Sequence, residues 1–442
     1  MKRLFSFMCD VLVKIRLWGW KGVWNYLTGY LPNRWRCWRL KRFFLDNARR
    51  YPMQPMRGIT LVARFTTRGS LNKVMRDFAF SLRDAGIPFQ TFNLDRKMDV
   101  PEEDVDGILT PIKEFRLLRY SRIVTMVDNP LPDELSLKPA TVFFWEFDSG
   151  IRRAYPGLFS CHSVIGMSDF NTEYFRRELS REVFVHKILY PFRSVDIDEV
   201  SSARTRAQYG LSATDFLVFF NFDFGSSRQR KNPDGALRAF ATAFRDVPSA
   251  KLVFKTSGSR RYPERLAELV SLAGELGVGE RFVCVNSYLP QDEIYALTAA
   301  CDVYISLHRG EGFGLGIAEA MSLGKPVVVT DWSAPKEFCN ETNAVMVPCA
   351  LTRPPPEMID HAYYVDVERW AEPDIVAAAS ALKRLYKDPD LRVRLGCKAK
   401  EVIHNNFSIE TFRQSVDGFL DSVPCSHVSC QPFSDCHDGT QS

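Results

Sequence analysis

"HRGEGFGLGIAEAMSLGKPVVVTD", residues His308–Asp331, sets two carboxylates eight positions apart, Glu311 in a glycine-rich turn and Glu319 in the segment that follows. Three glycines and no charge lie between them. Ser306–Arg309 closes an apolar run, "GEGFGLG" turns, and Leu315–Ser322 has helical spacing. Pro326–Thr330 then reads as a strand, so the stretch is a strand, a glycine turn, a helix and a further strand.

Backbone N–H groups at a helix start attract anions, and glycines let a ligand come close to them. A carboxylate beside a bound phosphate is repelled by it. Glu311 and Glu319 therefore read as acceptors for hydroxyl groups on either side of that phosphate. Ribose, diphosphate and hexose in a row have this layout, with Glu319 suited to the ribose and Glu311 to the sugar.

Outward from this stretch the same alternation continues. Phe216–Phe222, Lys251–Lys255, Arg281–Val285 and Val303–Leu307 read as strands, with helices over 234–246, 263–276 and 291–300. An earlier series has strands at Ile59–Phe65, Phe89–Leu94, Ser121–Val127, Thr141–Glu146, His162–Met167 and Val183–Leu189. Helical spacing at Leu71, Val74, Met75, Phe78, Ala79, Leu82 and Ala85 stops at Gly86. Alternating strands and helices build parallel sheets with right-handed crossovers. The fold class is α/β, with two Rossmann-like doubly wound domains facing a central cleft, the default ligand site. The expected division is 1–50, 51–195, 196–424 with closing helices at 374–388, 390–404 and 409–421, and a disordered tail over 425–442.

The chain has 442 residues and a net charge of +5, unevenly spread. Residues 1–50 hold twelve Lys/Arg against Asp10 and Asp46, with five of the eight tryptophans. Leu4, Met8, Val11, Leu12, Ile15 and Trp18 share one helical face. This is the pattern of a basic amphipathic helix lying in a membrane interface, a cytoplasmic peripheral location; docking on the protein's own surface is the alternative. No stretch of 18 apolar residues suggests a transmembrane helix. Eleven cysteines without CxxC pairs suit a reduced compartment. Cys425, Cys430, Cys436, His427 and His437 have zinc-binding atoms but no familiar ligand spacing.

The opening stretch resembles the E-x7-E signature of family 4 retaining glycosyltransferases, which have the two-Rossmann GT-B fold. "FDFGSSRQRKNPDGALRAF" (222–240) is similar to the family's phosphate-binding loop and helix, and "FFWEFD" (143–148) and "SDFNTEYFRREL" (168–179) to its acceptor-domain segments. The resemblance covers roughly 58–420 and is strongest over 215–375. It implies that Lys231 sits on the diphosphate with Arg228 or Arg230 beside it. Phe313, Gly314 and Leu315 would offer N–H groups to sugar and phosphate, and Gly69 would form the N-terminal glycine loop. Gly225 stands where much of the family has an arginine, and Glu146, with Asp148 second, where many members have a histidine. His308 reads as a packing residue and Glu337 as a loop support.

The resemblance thus implies a retaining, metal-independent glycosyltransferase without a cofactor, acting in polysaccharide biosynthesis. Its donor is a nucleotide sugar, GDP-mannose or a UDP-sugar, and its acceptor a glycan or lipid-linked glycan. The rivals are a GT-B phosphorylase or nucleotide-sugar epimerase, and a non-catalytic membrane-bound scaffold. No G-x-G-x-x-G with a following acidic residue supports a dinucleotide enzyme, and no nucleic-acid-binding module accompanies the basic segment.

Overall fold

The computed structural model describes residues 39–422 except 41, 52–54, 96–97, 103–104, 118, 127–137, 156–157, 160, 191, 193–196, 360–363 and 365. The expected membrane helix and the Cys/His tail therefore lie outside the described residues. Among the described residues no helix is long and apolar enough to cross a membrane.

The described chain begins with α1 (42–50), which is part of the fold rather than of a separate leader. Phe44 is buried with Phe92, Phe115 and Leu117. Asn47 donates to the Phe115 carbonyl at 3.1 Å and accepts from the Leu117 amide at 2.7 Å. This packing sets residues 42–50 against the first domain, with Phe43 and Phe44 turned into it despite the basic residues around them.

The first sheet holds β1 (Met56–Ala63), β2 (Phe89–Asn93), β3 (Tyr120–Met126), β4 (Ala140–Val142), β5 (Ser163–Gly166) and β6 (Phe184–Lys187), in the order β2-β1-β3-β4-β5-β6. All its pairings are parallel. Helices α2 (Ser70–Asp84), α3 (Ile151–Ala154) and α4 (Asp169–Glu178) connect these strands. The apolar face of α2 buries Val74, Met75, Phe78 and Leu82, whereas Leu71 stays exposed.

After α5 (Glu199–Gln208) the second sheet begins with β7 (Phe216–Asp223), followed by α6 (Arg228–Lys231) and α7 (Pro233–Ala243). β8 (Ala250–Ser257), α8 (Pro263–Glu275), β9 (Phe282–Asn286), α9 (Gln291–Ala299), β10 (Val303–Ser306), α10 (Leu315–Ser322), β11 (Val327–Thr330) and β12 (Val345–Val347) complete the unit. Its strands are parallel in the order β12-β11-β10-β7-β8-β9. In both sheets the order reverses beside the first strand, where a doubly wound sheet opens a crevice at the carboxyl ends of its strands.

β13 (Cys349–Thr352) and β14 (Trp370–Pro373) pair antiparallel. The described part of their connection reaches the first domain, where the Tyr364 ring packs on Trp145 and Phe147 and Arg369 pairs with Asp148. Helices α11 (Ile375–Lys387), α12 (Pro389–Asn406) and α13 (Ile409–Asp421) close the chain. α13 returns to the first domain: Phe412 meets Phe78 of α2 edge-on at 5.3 Å, and Arg57 pairs with Asp417 and Asp421. α13, from the 196–424 segment, thus packs on the first domain through Phe412 and Phe419. Each such side chain contributes about 1.5–3 kcal/mol.

Candidate active site

The two domains enclose a cleft of about 630 Å³, lined from the first by Gly69, Lys73 and Glu146 and from the second by Arg230, Lys231, Glu311, Gly314, Leu315 and Glu319. Residues that the sequence scatters over 250 positions thus meet in one place.

The loop from β10 to α10 is shaped by its glycines. Gly314 takes φ +93 at the N-cap of α10, a backbone state that side chains disfavour. A Cβ on Gly310 would lie 2.5 Å from the Glu146 carbonyl oxygen, and one on Gly312 3.0 Å from that of Trp145. These two glycines therefore admit the other domain's backbone, a role beyond the ligand approach expected from sequence. Among the described residues, no hydrogen bond uses the N–H groups of Phe313, Gly314 or Leu315. They remain as donors at the start of α10. The Phe313 side chain is buried and stacks on Phe192.

The basic turn of α6 is stitched to this loop. Ser227 caps α6 by accepting from the Arg230 amide, and Asn232 donates to the Leu307 carbonyl at 2.8 Å. The Arg309 amide donates to the Arg230 carbonyl at 2.8 Å. Arg309 also grips Glu372 through two hydrogen bonds, at 2.6 and 2.7 Å. Lys231 and Arg230 are consequently delivered to Glu311: Lys231 Nζ donates to Oε1, and Arg230 Nη1 stands 3.4 Å from the same oxygen. Burial alone would raise the Glu311 pKa, but Lys231 and Arg230 more than reverse it and hold it at about 2. Burial draws the Lys231 ammonium down against the pull of Glu311. Arg230 is 4% exposed and donates to the Gly310 carbonyl at 2.8 Å.

Of the two arginines offered as diphosphate partners, Arg230 lines the cleft. Arg228 is turned from the cleft, bonded to Asp234 at 2.9 Å and to Glu268. The two acids lie six and 40 residues downstream, the second beyond what local reading detects.

Glu146 faces the same cluster, 3.3 Å from Arg230 and 3.4 Å from the Tyr364 hydroxyl. Asp148 is bound to Arg369 at 2.7 Å and does not line the cleft. Glu319, 6% exposed, accepts from Gln291 at 3.3 Å and stands 3.3 Å from Lys73 of α2. Burial raises its pKa in spite of Lys73. Gly69 has φ +129 and begins α2 at the cleft.

His308 is fully buried between Ser306 Oγ and the Trp332 carbonyl, and burial lowers its pKa to about 4. Glu337 accepts from the Phe170 amide at 2.8 Å, joining the domains outside the cleft. Sequence reasoning missed Lys73, Tyr364 and Lys255. The last lies near the carboxyl end of β8 in the cleft, where burial lowers its pKa against Asp223 and Glu319.

Residues 203–402 match the family model described as "Glycosyl transferases group 1". The N-acetyl-alpha-D-glucosaminyl L-malate synthase of Bacillus anthracis is 26% identical over 210 residues, 46% of this chain and 45% of that one. A D-inositol 3-phosphate glycosyltransferase of Saccharomonospora viridis is 30% identical over 230 residues, 50% of this chain and 45% of that one. The matches thus span under half the length of these curated relatives. Among solved structures, Anabaena Alr3699/HepE, crystallised with UDP and glucose, has a TM-score of 0.58 at 16% identity, covering 83% of this chain and 100% of that one. WaaG, a glycosyltransferase involved in lipopolysaccharide biosynthesis, has a TM-score of 0.56 at 14% identity with the same coverage. At such identities the likeness is one of fold, and that fold is GT-B.

Proposed function

We propose that the chain, whose residues 203–402 match the group 1 glycosyl transferases, is a member of that family and transfers a sugar from a nucleotide-sugar donor to a glycan or lipid-linked acceptor with retention of configuration. The observation that carries the proposal is the contact of Lys231 and Arg230 with Glu311 beside the unused N–H groups at the start of α10.

In this reading the diphosphate lies on the α10 start, with Lys231 and Arg230 neutralising the charge that grows on it as the sugar leaves. Glu311, kept ionised, accepts sugar hydroxyls, and Glu319 accepts from the ribose. The bond from the anomeric carbon to the diphosphate oxygen breaks, and the acceptor oxygen bonds that carbon from the same face. The acceptor's hydroxyl proton passes to the departing phosphate oxygen. The neutralising charge comes from side chains and the helix start, so the reading needs no metal ion or cofactor. Glu146 lies where the acceptor domain meets the reacting sugar. The name of the Anabaena structure supports UDP as a donor nucleotide, and the names of the relatives support glycosyl transfer.

Incubating the purified chain with a panel of UDP- and GDP-sugars tests the proposal. Consumption of one donor with release of its nucleoside diphosphate is the expected result. Release of a sugar 1-phosphate or an epimerised donor would instead support the phosphorylase or epimerase alternative.

A further inference from the structure

The first domain's wall of the cleft is basic. Arg64, Arg68, Lys73 and Arg76 line it, and its one carboxylate among the described lining residues, Glu146, is paired with Arg230. Three of the four cations are already engaged. Lys73 is held by Asp77 and Glu319. Arg76 donates to the Phe65 and Thr67 carbonyls at 3.1 Å. Arg68 donates to the Asp99 carbonyl at 2.6 Å. Arg64 is different: it is half-buried, and no hydrogen bond or ion pair ties its side chain to a described residue.

Arg64 directly follows β1, at the carboxyl end of the strand where the sheet order reverses. That crevice is where doubly wound sheets hold ligands. The loop carrying Arg64 is rigid. Asn93 accepts from the Phe65 amide at 3.2 Å, and Asp95 accepts from the Thr66 amide at 2.8 Å and its hydroxyl at 2.9 Å. A guanidinium stays charged at any relevant pH, and its planar fork matches an oxyanion. Because the loop backbone is already held, only the side chain itself has to be ordered when a ligand binds. The opposite wall supplies Lys231 and Arg230, so the donor's diphosphate does not need it.

We propose that Arg64 binds an oxyanion, a phosphate ester or a carboxylate, carried by the acceptor, in the cleft whose apolar lining on this side includes Met126 and Phe144. The proposal rests on the reading above in that the second domain holds the donor.

The test is calorimetric titration of the full chain, saturated with UDP or GDP so that the donor's phosphate subsite is filled. Glucose 6-phosphate, glucuronate and glucose are the probes. At least one anionic probe should bind tenfold or more tightly than glucose, and which one binds separates phosphate from carboxylate. Arg64→Gln should remove that preference, Arg64→Lys should keep only part of it, and both should hold the nucleotide within about twofold of wild type. Equal binding of glucose, an unchanged preference in Arg64→Gln, or a matching loss of nucleotide affinity would overturn the proposal. If wild type binds neither nucleotide, the donor reading fails instead. The same probes titrated without nucleotide then still decide whether Arg64 selects anions.

Discussion

Lys73 of the first domain stands 3.3 Å from Glu319 of the second, while Asp77 and the Tyr190 hydroxyl hold the same ammonium. The carboxylate assigned to the ribose is therefore oriented from across the cleft. Burial raises its pKa, and Lys73 is the main force opposing that rise.

Lys73→Met should make nucleotide binding more sensitive to acid. An ionised Glu319 accepts a ribose hydroxyl; a protonated one has lost that charge. Without Lys73 the Glu319 pKa climbs further, so affinity should begin to fall at a higher pH than in wild type. Calorimetry between pH 5 and 8 reads the shift, and parallel profiles would detach Lys73 from Glu319. Glu319→Ala should lose roughly 1.5–3 kcal/mol of nucleotide affinity, the range for a charge-assisted hydrogen bond.

Lys231→Ala should weaken binding of a nucleoside diphosphate while leaving the nucleoside nearly untouched. An equal loss for both ligands would place Lys231 elsewhere in the site. The same variant should be less stable near neutral pH. Glu311 has a folded pKa of about 2, below its usual 4.5, so its contribution is complete above 4.5 and is lost as pH falls towards 2. Removing Lys231 raises the folded value towards 4.5, so the variant's melting temperature should fall less than wild type's between pH 4.5 and 2, which thermal melts across that window would record.

Glu146→Gln should depress turnover with little effect on donor affinity. The amide keeps a polar oxygen beside Arg230 but gives up the charge near the reacting sugar. Unchanged turnover would make Glu146 only a support for Arg230.

Gly310→Ala tests the approach of the two domains. Its methyl would fall 2.5 Å from the Glu146 carbonyl oxygen, so backbone must move. Overpacking of this kind costs about 1–3 kcal/mol. A lowered melting temperature is expected, and an unchanged one would mean that the domains stand apart in solution.

What the sequence made legible was local. Leu315–Ser322 was readable as a helix to its last residue because glycines precede it and its apolar spacing is regular. The run Thr141–Glu146 was misread as one strand. β4 stops at Val142, and the Trp145 amide and carbonyl bond the Asn171 side chain rather than a neighbouring strand. That departure carries Glu146 to the cleft. Arg228 could not be separated from Arg230 without knowing that Glu268 lies across from it. The Lys73–Glu319 pair joins two helices from different domains, and no local pattern encodes such a meeting.

The basic segment before α1 gives a further expectation. The full chain should sediment with anionic vesicles, more weakly at high salt, since each basic side chain near such a surface contributes about 1 kcal/mol. Removing 1–38, rather than residues of the packed helix α1, should release it while keeping nucleotide affinity. Binding that survives the truncation would assign the membrane contact to another surface.

The most direct test of the central claim is the configuration of the product. With an α-linked nucleotide sugar from the panel and a suitable acceptor, proton NMR during the first turnovers identifies the anomer as it forms. The account predicts an α-linked product from wild type and none from Lys231→Ala. A β-linked product, or undiminished transfer by the variant, would contradict it.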